Sequence, residues 1–476
     1  MKKTLTVLEQ VAVDVEVSEN PFNFELQDLF LVAARNNSKR AFLFVSKLLG
    51  KHIPVNPKKA ILTGRLLGFL INEKIKLGGR GYNISLLAQA LKDDRYIDSA
   101  LDYAKENLIT LHEPTLFIGF AETATALGNS VYSQFYGEDI FYIHTTRDDL
   151  IECTSVFNFE EEHSHATSHF CYPLKEDLLK NYKRIVLVDD EITTGKTALN
   201  LIKAINNKYP GKEYIVVSIL DWRRNKHIEE YKSLEKELGV KIHEVCLLDG
   251  EATCNSPSIK DIEIKYQNNE GALYNKNVYE EYYENGNLHK VDCKYKGQEK
   301  SDNQVLVKNH LIHWQQYRNF TRNLSDGKLK DYNYLNFSGR FGLTAEEMNC
   351  IERYVDNTID ILGTFHSETL VLGTEEFMYI PMLIASKIPG AMYQSTTRSP
   401  IYTSHEEEYG VQCAAIFRNP FDKGVTNYVY NIKKGTYKEV LFITEREVDK
   451  ESKDELIRLF TALNIGKINF VCFLRN

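Results

Sequence analysis

Asp189 and Asp190 stand side by side at the end of the apolar run Arg184 to Val188, and Thr193-Thr194-Gly195-Lys196-Thr197 follow almost at once. Two adjacent carboxylates can accept hydrogen bonds from a pair of hydroxyls. A Thr/Gly turn entering a helix offers backbone N–H groups, hydroxyls and the positive end of the helix dipole to an anion. Together they suit a ribose carrying a 5-phosphate. Either feature alone would more often cap a turn or relieve a tight backbone. The ending Gly195-Lys196-Thr197 also invites comparison with a P-loop, but that motif needs glycine five positions before Gly195, where Asp190 stands. A carboxylate there would repel phosphates, which excludes the ATPase or nucleotide-kinase reading.

Such a turn needs a parallel sheet to hold it. From Thr115 onward, strand-like and helix-like segments alternate: TLFIGF, ETATALGNSVYSQF, DIFYIHTT, RIVLVDD, TALNLIKAI and EYIVVSIL. The strands are apolar on both faces, so the pattern predicts an α/β fold with a parallel sheet covered by helices, whose ligands lie beyond the carboxyl ends of the strands. Residues 1–24 read as a flexible arm, 25–255 as the first domain, 256–335 as a β-rich insertion or connector, and 336–476 as a second α/β domain. Asn285-Gly286 predicts a hairpin turn inside the connector.

The second domain echoes the first. TLVLGTEEFMYIPMLIASKI parallels TLFIGFAETATALGNSVYSQF, Thr396-Thr397-Arg398 parallels Thr145-Thr146-Arg147, and the run through Glu445 parallels the run through Asp190. In the echo, Thr444-Glu445-Arg446 replace Asp189-Asp190-Glu191 and no Gly-Lys-Thr follows. The second unit is therefore expected not to bind the same ligand in the same way. It binds another ligand, completes the first site, or serves as a dimerisation surface.

With 476 residues, 43% hydrophobic and 26% charged, the chain has enough apolar residues for two or three packed domains. A net charge of -8 argues against a general nucleic-acid coat. No apolar run is long enough to span a bilayer, and the N-terminus lacks a signal-peptide pattern, so a cytoplasmic protein is expected. The eight cysteines include no Cys-x-x-Cys pair, which disfavours a zinc knuckle or redox site.

The stretch VLVDDEITTGKT resembles the phosphoribosyl-pyrophosphate (PRPP) motif of type I phosphoribosyltransferases of the orotate phosphoribosyltransferase-like kind, and STTRSP (Ser395 to Pro400) resembles the signature of the TRSP domain, carried by Thr397, Arg398, Ser399 and Pro400. The combination is similar to a bacterial family associated with tellurite-resistance and stress-response gene clusters. That resemblance implies a Mg²⁺-dependent phosphoribosyltransferase in which Mg²⁺ is held mainly through PRPP. It implies that Asp189 and Asp190 hold the ribose hydroxyls, that Thr193, Thr194, Gly195, Lys196 and Thr197 cradle the 5-phosphate, and that Gly119, Phe120 and Ala121 form the pyrophosphate turn. Arg147 would neutralise the leaving pyrophosphate, and Glu122 would act through Mg²⁺ or simply start a helix.

The same resemblance places a catalytic loop over FEEEHSHATSHF, with His163, His165 and His169 as pyrophosphate or proton-transfer groups, although a His-x-His can also bind metal. Asp221 and Trp222 fall where these folds often meet the base, and FLFVSKLLGKH would form a hood over the acceptor. Purine-salvage members often carry an acid where Thr193 stands, so an orotate-like or unusual acceptor fits better than hypoxanthine or guanine. A homodimer is among the expected assemblies. The alternative to an enzyme is a regulatory protein that binds PRPP or a nucleotide without turning it over.

Overall fold

The computed structural model describes residues 2–8, 11–35, 40–77, 81–160, 168–174, 177–254, 277–295, 304–314 and 317–475. Its architecture is α/β, built on two large sheets. In the first, five parallel strands run in the order Lys241–Cys254, Glu213–Asp221, Arg184–Val188, Thr115–Gly119 and Ile140–His144. The last four of these strands are almost wholly buried, as expected for a sheet with helices on both faces, while Lys241–Cys254 is half-buried along much of its length.

The second sheet places Lys467–Arg475, Glu439–Thr444, Thr369–Gly373 and Met392–Ser395 side by side, again all parallel. Numbered within each unit, the four strands from Thr115–Gly119 to Glu213–Asp221 and these four of the second sheet have the same order: fourth, third, first, second. Loop details repeat as well. Thr145 N donates to Gly119 O at 2.9 Å, and Thr396 N donates to Gly373 O at 3.0 Å. Ala121 N donates to Thr145 Oγ1 at 2.8 Å, as Glu375 N does to Thr396 Oγ1 at 3.0 Å. Topology and loop hydrogen bonds thus repeat together, which makes the second half a structural copy of the first. The helices Ala124–Tyr132 and Tyr379–Lys387, equivalent in the two units, pack on each other.

Two expectations about the flanks need correction. Residues 1–24 are not a loose arm: Lys2–Val7 and Val11–Glu19 form an antiparallel hairpin that extends the first sheet by pairing with Lys241–Cys254. Val11, Val13 and Val15 alternate with Ala12, Asp14 and Glu16, so one face of this strand is buried and the other is more exposed. Nor do residues 277–295 and 304–314, within the stretch 256–335 read as a β-rich insertion or connector, stand apart from the second sheet. The hairpin strands Asn277–Glu284 and Asn287–Tyr295 turn at Asn285-Gly286, with φ of 43° and 83°, and Asn277–Glu284 and Gln304–Trp314 continue the second sheet in parallel. Val305, Val307, Ile312 and Trp314 bury their side chains and bind this segment to the core.

An ionic cluster closes the seam between the units. Arg340, 2% exposed, donates to Glu376 Oε1 at 2.8 Å and to both oxygens of Glu445 at 2.9 Å. Arg322 pairs with Asp148 at 3.0 Å, and Glu376 accepts from Thr146 Oγ1 and from the Arg147 N–H. Because Glu445 stands in the place that Asp190 takes in the first unit, Arg340 fills the position where a second copy of the site would lie. Only about 20 Å³ of free volume is left there.

Burial opposes ionisation of Glu445, but the Arg340 charge outweighs it and holds the carboxyl below its usual range; Arg322 and Arg340 do the same for Asp148. A folded-state pKa below the unfolded one stabilises the protein above the unfolded value and loses that contribution as pH falls toward the folded value. The melting temperature is therefore expected to hold from neutrality to about pH 4 and then fall. Arg340→Met, which strands Glu376 and Glu445, should cost about 3–5 kcal/mol at neutral pH and less in acid, measured by denaturant titration at both.

Candidate active site

Beyond the carboxyl ends of the first sheet lies a cavity of about 210 Å³. The strand Arg184–Val188 delivers Asp189 and Asp190 to its wall, both half-buried. Their backbone is fixed by Asp189 N donating to Val217 O at 2.9 Å and Ile219 N donating to Asp190 O at 3.2 Å. Thr193 also lines the cavity, whereas Thr194, Gly195, Lys196 and Thr197 make the adjoining turn and the start of the helix Lys196–Lys208, outside the cavity wall.

Gly195 has φ of +70°, and its carbonyl accepts from Tyr231 Oη at 2.9 Å. A Cβ there would lie 2.4 Å from Tyr231 Oη. Gly195→Ala therefore adds a left-handed strain of about 1–2 kcal/mol to an overpacking cost of about 1–3 kcal/mol. A stability loss of about 2–5 kcal/mol is expected on thermal or chemical denaturation.

The loop after Thr115–Gly119 contributes Phe120, Ala121, Glu122 and Thr123 to the wall, while Gly119 itself packs beneath Tyr142. The Arg147 side chain lines the cavity from the loop after Ile140–His144, and its backbone N–H is anchored on Glu376 Oε2 at 3.1 Å. His163 and His165 lie outside the described residues. His169 is buried, with a ring nitrogen 3.0 Å from Thr145 Oγ1, and is not part of the cavity wall.

The roof is the hairpin of Phe30–Ala34 and Phe42–Ser46 with the loop that follows it. It brings Arg35, Arg40, Leu43, Phe44, Lys51 and His52 to the cavity, none of which had been singled out individually from the sequence. Arg40 donates to Glu191 Oε1 at 2.5 Å and lies over the rings of Phe42 and Phe44 at 4.6 and 5.5 Å. The Lys51 ammonium, 2% exposed as a residue, is 3.1 Å from Glu122 Oε1 and donates to Thr396 O at 2.8 Å. Burial pulls Lys51 below its ordinary pKa, with Glu122 opposing the shift. Burial, together with the charges of Lys51 and Arg35, pulls His52 down to about 3, so its imidazole is neutral at physiological pH.

The second unit reaches into this same cavity. Thr397, Arg398 and Ser399 line it. Arg398 is held in a two-pronged pair with Glu375, Nε to Oε1 at 2.5 Å and Nη2 to Oε2 at 2.6 Å, and Asn419 Nδ2 donates to Glu375 Oε1 at 2.8 Å. The roof is stitched to the same unit: Tyr402 N donates to Ala34 O at 3.0 Å, Gly410 N to Val32 O at 2.9 Å, and Tyr409 Oη lies 2.9 Å from Ala34 N. The second unit thus contributes side chains to the first unit's cavity, as completion of the first site would require.

Asp221 and Trp222 do not reach the cavity. Asp221 is buried against Arg223 at 2.6 Å, and Trp222, 3% exposed, packs on Phe30 and Phe44 with centroid distances of 5.8 and 5.0 Å. Position after a strand end had suggested contact with a base. The apolar underside of the roof instead captures the indole, so Trp222 supports Phe44 from behind.

The cavity therefore sets Asp189 and Asp190 among cations from three separate chain segments, Lys51, Arg147 and Arg398, beneath a roof that presents Leu43 and Phe44 beside Arg35 and Arg40. Such a site can hold a polyol that also bears anionic groups. A family model described as phosphoribosyl transferase matches residues 29–251, and one described as the TRSP domain C-terminal to it matches residues 337–460. No curated protein matches the chain. A solved structure of Trypanosoma brucei adenine phosphoribosyl transferase in complex with AMP, pyrophosphate and ribose-5-phosphate matches at 16% identity over 33% of this chain and 66% of that one, with a TM-score of 0.23. At that score its likeness carries no argument about the site.

Proposed function

Residues 29–251 belong to the phosphoribosyl transferase family and residues 337–460 are the TRSP domain that follows it, and from that premise we propose that the chain is a Mg²⁺-dependent phosphoribosyltransferase acting on PRPP and a small, base-like acceptor. The reading rests above all on one observation: the acidic pair Asp189-Asp190 shares a cavity with Lys51, Arg147 and Arg398. In this proposal the two carboxylates accept the ribose 2- and 3-hydroxyls. The turn from Thr193 to Thr197 takes the 5-phosphate at the start of its helix. Phe120, Ala121, Arg147, Lys51 and Arg398 face the pyrophosphate, and the acceptor lies under Leu43 and Phe44.

The reaction is displacement at the anomeric carbon. The acceptor's nucleophilic atom forms the new bond, the bond to the pyrophosphate oxygen breaks with its electron pair leaving on that oxygen, and the acceptor releases its proton. Positive charge grows on the ribose beside Asp189 and Asp190, while negative charge grows on the leaving group beside the cations. Both interactions strengthen toward the transition state, the condition for catalysis rather than mere binding. The roof restricts the access of water to the sugar. The oxygen-donor set of Asp189, Asp190 and the ligand's own phosphates suits Mg²⁺. When bound, the ion would supply further neutralisation of the pyrophosphate.

A panel of nucleobases and heterocyclic acids offered with PRPP and Mg²⁺ tests the proposal through pyrophosphate release. Release that depends on one acceptor class supports transfer and identifies that class. PRPP binding without release from any member would favour a PRPP-binding regulator, the reading to which Thr193 lends weight because no carboxylate stands there to assist an acceptor.

A further inference from the structure

A second cavity, of about 210 Å³, lies on the seam between the two units and is walled by Ile61, Arg65, Leu101, Val355, Tyr379 and Leu383. Gly64 and Gly68 let the helix Pro57–Ile75 lie hard against its neighbours: a Cβ on Gly64 would be 2.3 Å from Ser130 Cβ, and one on Gly68 2.7 Å from Gln134 Cβ. That close approach sets the direction of Arg65.

Arg65 is 5% exposed, yet its one hydrogen bond among the described residues goes to a neutral group, Gln134 Oε1, from Nη1 at 3.2 Å. The orientation of that amide is fixed, because Gln134 Nε2 donates to Ala104 O and Asn107 O. Arg65 Nε is buried with no acceptor, and no carboxylate of the described residues lies within ion-pair distance of the guanidinium. Of the three acids at the rim, Asp98 is engaged by Lys58 at 2.6 Å and Glu352 by Lys105 at 3.6 Å, and Asp102 makes no ion pair with Arg65.

A buried guanidinium without a counter-charge is costly, and most buried charges in proteins are paired. Burial accordingly pulls Arg65 below its ordinary pKa. Beside this charge the cavity offers the aliphatic side chains of Ile61, Leu101, Val355 and Leu383 and the ring of Tyr379. We propose that this cavity is a second ligand site, for a small organic carboxylate whose charged end pairs with Arg65 and whose apolar body rests on Leu101, Val355 and Leu383. It draws its walls from both units, so an occupant stabilises their packing independently of PRPP.

Benzoate, titrated by calorimetry into the full chain without PRPP or Mg²⁺, tests the assignment, with the melting temperature followed in parallel. Saturable binding that raises the melting temperature is expected. Arg65→Met, which keeps the length and packing of the stem, should weaken benzoate at least tenfold, as should Leu383→Trp, which fills the cavity and leaves the guanidinium in place. Inorganic phosphate, having no apolar body, should bind at least tenfold more weakly than benzoate. No benzoate binding by the folded wild type, unchanged binding in either variant, or equal binding of phosphate would overturn the proposal. Because PRPP is absent, none of these outcomes depends on the reading of the first cavity.

Discussion

Asp189→Asn combined with Asp190→Asn is expected to lower PRPP-dependent pyrophosphate release by about 10²–10⁴-fold in kcat/KM while leaving the fold intact. A hydrogen bond to a charged partner is worth about 1.5–3 kcal/mol, so two lost interactions amount to about 3–6 kcal/mol. At about 1.4 kcal/mol per decade, that spans the stated range. Asparagine keeps the shape, and its amide oxygen can still accept from Asp190's backbone position as Asp189 Oδ1 does now at 2.9 Å. Both residues are half-buried at a strand end whose main-chain pairing does not use their side chains. An unchanged melting temperature beside the lost rate is therefore the expected signature.

The second large effect concerns the reach of the TRSP domain into the cavity. Arg398 alone cannot be cleanly removed, because Glu375 would be left as a buried carboxylate without its cation at a cost of about 3–5 kcal/mol. Arg398→Met together with Glu375→Gln avoids that charge, and Asn419 can still donate to the glutamine oxygen. Loss of one preorganised donor aimed at developing charge commonly costs about 10²–10³-fold in rate, and that loss is expected here in pyrophosphate release. Arg398→Lys should rescue only in part, since an ammonium cannot reproduce the planar fork. A double variant with full activity would reduce the TRSP domain to a scaffold.

The parallel α/β architecture and the motif ending at Thr197 were legible in the sequence because both are local: apolar β-branched runs and a turn rich in hydroxyls occur in consecutive residues. The echo between halves was also readable, through Thr145-Thr146-Arg147 and Thr396-Thr397-Arg398, although sequence alone could not say that Arg398 enters the other unit's cavity. That placement depends on how the helices Ala124–Tyr132 and Tyr379–Lys387 pack, which no spacing encodes. The roof residues Arg35 and Arg40 escaped for the same reason, lying well over a hundred positions upstream of the carboxylates they meet, and Lys51 was read only as part of the hood segment FLFVSKLLGKH.

Trp222 went astray because a strand end fixes where a residue sits and not which way a large apolar side chain turns. Phe30 and Phe44 offered the indole a better environment than the open cavity. The N-terminal hairpin was missed because the period-2 alternation in residues 1–24, read as a flexible arm, was not weighed as a strand signal. In Val11-Ala12-Val13-Asp14-Val15-Glu16 the acids mark the solvent face of a strand paired on both sides.

Calorimetric titration of PRPP with Mg²⁺ into the full-length chain tests the central claim most directly. One saturable site, abolished by the paired asparagine substitutions at 189 and 190 in a variant that melts like the wild type, is the predicted result. A folded wild type that shows no heat of binding, or a variant that binds PRPP as tightly as the wild type, would contradict it.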